Sequence, residues 1–378
     1  VTDTIKLYAT CPNEITDLLA KEISAIGGTN VKTGYRVVYF DGTEEVFYRA
    51  HLQLRLASRL FRVIKEFPAH SPTIVFDKAK RIKFHEYFKA ASAVKIGVTM
   101  SGDNKVEGHL VGTKIREAIT DSFKHYVKQD ANISSWDATV NVQAYVHSNR
   151  LMLSVDTAGK SMHKRGYRME GHPAPLKETL AATLLNLCEY DGTIPLMDPM
   201  CGSGTIVIEG CMMAMNKAPM IHRKKGEFGF EELGFFKNQI WKQAQDDARA
   251  GQKWPDTKFY ASDIDPQHVE ITRESALRAR VEKYLEIEQK DFFDTKKPEE
   301  TGLLITNLPY GIRLDETQLD EDFLKRVGDH LKENFKGWKV GLLMPEDAPF
   351  KAVGLKPSRK YPLMNGALNV KFYVYDMY

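Results

Sequence analysis

Leu196-Met197-Asp198-Pro199-Met200-Cys201-Gly202-Ser203-Gly204-Thr205 is an apolar pair that ends on an acid and passes through two glycines. Residues 205–215 then continue with apolar side chains at helical spacing. The pattern predicts a buried strand, a tight turn and a helix. In an open α/β sheet, the crevice beyond the carboxyl ends of the strands is where ligands bind. Gly202 and Gly204 remove side chains, so that backbone can come close to a ligand. Ser203 and Thr205 can cap the helix or contact a ligand at its first amides. Cys201 lies within the turn and reads as a small packed residue. A strand-turn-helix without a ligand would satisfy the same pattern, so the downstream residues decide.

Residues 258–262 form the next strand, which ends on Asp263-Ile264-Asp265-Pro266. An acid at the end of the second strand can hold the two hydroxyls of a ribose, and Asp263 is assigned to it. Asp265, just before Pro266, is assigned to capping the following helix. After the strand 285–287 come Asp291 and Phe292, an acceptor for an adenine amine and a ring to pack on it. Residues 303–306 form another strand, followed by Asn307-Leu308-Pro309-Tyr310-Gly311.

The amino group of a base is a poor nucleophile because its lone pair is delocalised. The Asn307 side-chain oxygen and the Leu308 carbonyl could accept its two hydrogens, with Pro309 stiffening the turn and Tyr310 stacking on the base. Catalysis would then be positioning and electrostatics. With Asp198 accepting from the ammonium of a methionine moiety, this constellation predicts S-adenosyl-L-methionine as cofactor and methylation of an amino group. A cysteine nucleophile is not expected, because no cysteine lies near Asn307.

The rest of the chain supplies the context. Residues 1–65 read β-α-β-β-α-β, the order of a ferredoxin-like unit. Residues 66–157 alternate helical stretches, at 82–93 and 112–128, with a strand at 94–100. They close on a hairpin, 139–147 and 151–156. Residues 158–175 are rich in glycine, proline and basic residues and read as a linker. From 176 to 378 strands and helices alternate into a parallel, doubly wound sheet. A hairpin on Asn365-Gly366 finishes that sheet.

The hydrophobic content of 43% and charged content of 27% suit globular domains. No apolar run is long enough for a membrane helix, and four scattered cysteines suit a reducing, cytoplasmic setting. Eleven histidines show no metal-ligand spacing, so no metal is expected. The net charge of +3 leaves any polyanion contact to local clusters. Three stand out: Lys78, Lys80, Arg81 and Lys83; then Lys164, Arg165 and Arg168; then Arg223 to Lys225 in an insertion. All are expected at phosphates.

Lys164-Arg165-Gly166-Tyr167-Arg168, Ala174-Pro175-Leu176-Lys177-Glu178-Thr179, the turn at 198–205, Ser262 to Pro266 and the motif at 307–314 together resemble the bacterial 23S rRNA guanine-N2 methyltransferases. That resemblance spans nearly the whole chain. It implies a seven-stranded Rossmann-like class I methyltransferase domain, preceded by a ferredoxin-like segment and a THUMP RNA-binding domain. It also implies a ribosomal RNA (23S) or assembly-particle substrate, and a methionine pocket lined by Pro175 and Thr179. Two positions depart from the family pattern. Leu308 stands where proline is usual, keeping the carbonyl but not the fixed φ. Ile312 stands where an acid is common, which bears on guanine recognition. Adenine-N6 or protein-glutamine methylation, and a non-catalytic RNA-binding factor, are the competing expectations.

Overall fold

The computed structural model of the chain describes residues 4–134, 136–168, 176–309 and 319–378. The first half is β1 (Ile5–Thr10), α1 (Thr16–Ala25), β2 (Thr29–Gly34), β3 (Val37–Gly42), α2 (Glu44–Gln53) and β4 (Arg59–Pro68). It continues with α3 (Pro72–Ala79), β5 (Val94–Ser101), α4 (Gly108–Val127), β6 (Val140–His147) and β7 (Arg150–Asp156). The ferredoxin-like order expected for the first segment is the order observed. The expected boundary near residue 65, however, falls inside β4. That strand pairs with β1 on one side and β7 on the other, so one seven-stranded sheet, β2-β3-β1-β4-β7-β6-β5, runs through both units.

The helix expected over 82–93 is corrected. The helical turns lie earlier, where Ser71 accepts from the Ile74 amide and Pro72 occupies the first turn. That cap-plus-proline signal outranks the apolar spacing downstream. Residues 84–86 make only a short 3-10 turn.

The second half is α5 (Glu178–Leu187), β8 (Leu196–Asp198), α6 (Thr205–Ala214), α7 (Asn238–Ala250), β9 (Phe259–Asp263) and α8 (Pro266–Ala279). It ends with β10 (Leu285–Gln289), β11 (Gly302–Asn307), α9 (Glu321–Asn334), β12 (Trp338–Pro345), β13 (Arg359–Asn365) and β14 (Leu368–Asp376). The sheet order is β10-β9-β8-β11-β12-β14-β13. β8 to β12 run parallel and β14 is antiparallel to both its neighbours. This is the doubly wound sheet with a terminal hairpin that the residue pattern predicts. Because β8 is the middle one of the five parallel strands, the turn after it opens at the centre of their carboxyl edge.

The described part of the segment expected as a linker, residues 158–168, is packed rather than solvated. Ala158, Met162, Arg165 and Tyr167 are all buried. Arg165 donates to the carbonyls of Met162 and Arg55 and lies 3.4 Å from Glu209 of α6. Arg55 of the first half donates to the carbonyl of Lys217 at 2.6 Å and stands 3.8 Å from the same carboxylate. Tyr167 adds a hydroxyl donor to Glu209 at 3.2 Å. A second lock is aromatic. Phe230, in the insertion after α6, sits edge-on to Tyr48 at 5.3 Å and to His51 at 4.6 Å, both on α2. The two halves therefore share one interior.

Candidate active site

The turn after β8 is built by its neighbours. Gly202 and Gly204 both have positive φ, at 54° and 72°. Their reasons for being glycine differ. A Cβ on Gly204 would come within 2.6 Å of the Thr272 methyl on α8, so Gly204 serves helix packing. A Cβ on Gly202 would meet nothing within 4 Å among the described residues, so Gly202 leaves open space there. The Gly202 amide donates to Asp263 Oδ2 at 2.8 Å, and Thr272 Oγ1 donates to the Gly202 carbonyl at 3.0 Å. Thr272 is a site residue that sequence reasoning misses. Its one signal is a place a helical turn after His268, which itself lies 3.2 Å from Asp263 Oδ1.

Cys201 is buried, with its thiol 3.5 Å from Thr272 Oγ1. Burial, with the Asp198 charge second, holds that thiol well above its ordinary pKa. It is inert as a nucleophile. Ser203 and Thr205 hydroxyls lie 3.1 Å apart at the start of α6.

Two carboxylates flank the turn. Asp198 is 2% exposed and accepts from the Met200 amide at 3.3 Å. Burial, with the neighbouring Asp263 charge in a lesser role, pushes its carboxyl up to about 7. The Thr306 hydroxyl and the Met200 amide offset that burial only in part, and a buried acid so placed favours a cation beside it. Asp263 is better satisfied, by the amides of Gly202 and Asp265. Asp265 caps α8 through the Gln267 amide at 2.8 Å, the role its place before Pro266 predicts.

Asn307 ends β11, level with Leu343 of β12. Its side-chain oxygen is buried and has no hydrogen-bond partner among the described residues. Buried acceptors in native proteins are almost always paired, and an orphan at a strand end marks a place for a donor. Leu308 is 1% exposed, and its side chain lies in the apolar cluster with Leu324 and Trp338. Its amide donates to the Leu343 carbonyl at 3.1 Å. Pro309 is partly exposed. Tyr310, Ile312 and Pro175 lie outside the described residues.

The remaining predicted residues are placed as follows, and the buried arginines correct the phosphate expectation. Phe292 is 4% exposed and packs 4.8 Å from the His330 ring. Asp291 accepts from the Phe293 amide at 2.9 Å, the common turn role. Thr179 lines a groove facing β1 and the β2–β3 turn. Arg165 is fully buried and Arg223 nearly so, the latter donating to the carbonyls of Lys164 and Ala158, so neither is available to phosphate. Arg168 points inward too. It donates to Thr205 Oγ1 and to the Leu176 carbonyl, and lies 3.7 Å from buried Glu178. Of the basic residues expected at phosphates, Lys78, Arg81, Lys83, Lys164, Lys224 and Lys225 are exposed, although Lys83 pairs with Glu86. Lys80 is half-buried and pairs with Asp77 at 2.9 Å.

The arrangement is an open glycine turn between the buried carboxylate of Asp198 and that of Asp263, with the Asn307 side-chain oxygen on the adjacent strand. Comparison with known proteins gives the family. Residues 165–373 match the RMKL-like methyltransferase domain, and residues 6–61 match the RlmL ferredoxin-like domain. A ribosomal RNA large subunit methyltransferase K/L of Vibrio campbellii is 34% identical over 95% of this chain and 52% of its own length. The chain thus spans about half the length of the curated relatives it matches first. Two solved structures, each 26% identical, cover all of it. One, described as a predicted N6-adenine-specific DNA methylase from Listeria monocytogenes, gives a TM-score of 0.88 over 97% of that chain. The other, a putative methyltransferase complexed with SAH, gives 0.86 over 99% of that chain. With more than half of its residues in the methyltransferase match and its first strands in the ferredoxin-like one, the chain belongs to the RMKL-like methyltransferase family.

Proposed function

We propose that this chain is an S-adenosyl-L-methionine-dependent RNA methyltransferase that modifies an exocyclic amine, guanine N2 in large-subunit (23S) ribosomal RNA. The observation that carries the reading is the buried Asn307 oxygen, unpartnered among the described residues, on the strand next to the open Gly202 turn. When bound, the cofactor supplies the methyl group as an electrophile. The chain's own residues do the rest. Asp198 receives the ammonium of the methionine moiety, and Asp263 keeps lone-pair capacity for ribose hydroxyls while pinning the turn. Asn307 Oδ1 and the Leu308 carbonyl accept the two hydrogens of the base amine, which turns its lone pair toward the donor. The proton released after transfer leaves to solvent. Such acceptors act on charge that develops in the transition state.

The RNA part of the reading rests on the ferredoxin-like match and on the name of the Vibrio relative. We infer that residues 66–157 form the THUMP RNA-binding module, with exposed Lys78, Arg81 and Lys83 toward phosphate and Lys164, just after it, doing the same. Four free, buried cysteines fit a reducing cytoplasm. The adenine-N6 reading has one observation in its favour, the description of the Listeria protein as an N6-adenine-specific DNA methylase. Incubation of the protein with labelled cofactor and rRNA from cells lacking its gene, followed by nucleoside mass spectrometry, tests both. N2-methylguanosine is the expected product. N6-methyladenosine would replace the guanine reading, and no labelled nucleoside would overturn the RNA reading.

A further inference from the structure

A groove of about 610 Å³ separates the ferredoxin-like unit from the methyltransferase domain. Its walls are the β2–β3 turn with Tyr35 and Arg36, the start of α5 with Lys177 and Thr179, and Met364 at the end of β13. The groove opens at the catalytic edge of the second sheet. Asn307 is level with Leu343, Leu343 with Phe372, and the β13–β14 turn lies beyond that level, past the carboxyl end of β12. The start of α5 is at the same edge, because Arg168 bridges Glu178 and Thr205.

Its chemistry is that of a single-strand site. Tyr35 is 80% exposed and Met364 41%, so an aromatic ring and a flexible thioether face solvent across the cleft. Arg36 and Lys177 are exposed, and neither has an ion-pair partner among the described residues. One acid, Glu14, also lines the groove, which leaves the balance positive. Arg36 holds φ at 61°, a conformation that two-residue turns usually give to glycine or asparagine. A ring for stacking next to unpaired cations is the combination that holds single-stranded nucleic acid.

We propose that this groove binds the single-stranded RNA that flanks the target base, with Tyr35 stacking on a neighbouring base and Arg36 and Lys177 contacting phosphates. The proposal rests on the RNA methyltransferase reading above and adds where the substrate strand runs. Both turn residues are at an exposed hairpin tip, so their replacement leaves the core intact. The test is steady-state methyl transfer to rRNA from cells lacking the gene, with cross-linking of the same RNA carrying 4-thiouridine. Tyr35→Ala and Arg36→Glu are expected to raise KM for RNA about ten-fold, the scale of one lost stacking or phosphate contact. Cofactor affinity is expected to stay unchanged. Trp254→Ala, at an exposed aromatic that does not line the groove, serves as the control. Cross-links are expected on the peptide carrying Tyr35. A wild type that methylates RNA while both variants keep its KM and the cross-links fall elsewhere overturns the groove alone. A wild type that transfers no methyl to RNA overturns the functional reading, and the groove with it.

Discussion

The backbone amide of Gly202 donates to the Asp263 carboxylate across 2.8 Å, so the acid at the end of β9 fixes the turn at the end of β8. The residue assigned to the ribose is thus also the support of the glycine turn. Asp263→Ala is expected to weaken cofactor binding by about 1–3 kcal/mol, because charged hydrogen bonds are lost on both sides. Calorimetric titration measures the affinity, and thermal melting of the ligand-free protein should also fall. Unchanged affinity would remove Asp263 from the site.

Asp198 gives a pH dependence. Its carboxyl is raised to about 7 by burial, and an ammonium partner requires the ionised form. Cofactor affinity should therefore fall as pH drops from about 8 to about 6, and Asp198→Asn should flatten that profile. Ligand-free stability has the opposite sign. A raised folded-state pKa contributes stability below the unfolded value that is lost as pH rises through about 7. Asp198→Asn should accordingly raise the ligand-free Tm at pH 8. A lower Tm there, with an unaltered binding profile, would show that the carboxylate is satisfied as it stands.

Asn307→Ala should abolish turnover with little change in cofactor affinity, since the orphan oxygen acts on the reacting amine. Single-turnover methyl transfer decides this, and a wild-type rate would eliminate the site.

Leu308→Pro would restore the usual family residue, yet the structure argues against any gain. Proline has no amide for the Leu343 carbonyl, and it removes a buried side chain from the core. The expected cost is about 1 kcal/mol for the bond and a similar amount for lost burial. Denaturant unfolding reads the loss, and a faster enzyme of equal stability would contradict it.

Glu209→Ala should be more damaging than any of these. It leaves Arg55 and Arg165 in a buried interface without their shared carboxylate, and such losses run to about 3–5 kcal/mol. Thermal or denaturant unfolding measures the loss, and limited proteolysis should accelerate in parallel if the two halves separate.

The sequence alone determined the local grammar. Periodicity and turn residues placed the ferredoxin-like order, the doubly wound sheet, the Asp265 cap and the strand end at Asn307. Each of these depends on residues close in the chain. Tertiary structure decided which way the side chains face. Arg165, Arg168 and Arg223 look like a solvated basic run, yet all three turn inward, because Glu209, Glu178 and bare carbonyls from distant segments await them. Phe292 looks like a ring for a ligand and is core, because α9 covers it. Leu308 looks like an eroded motif, yet its amide donates a hydrogen bond to the Leu343 carbonyl of β12 that proline cannot make. Burial and partner choice arise from contacts between segments far apart in sequence, and no local pattern encodes them.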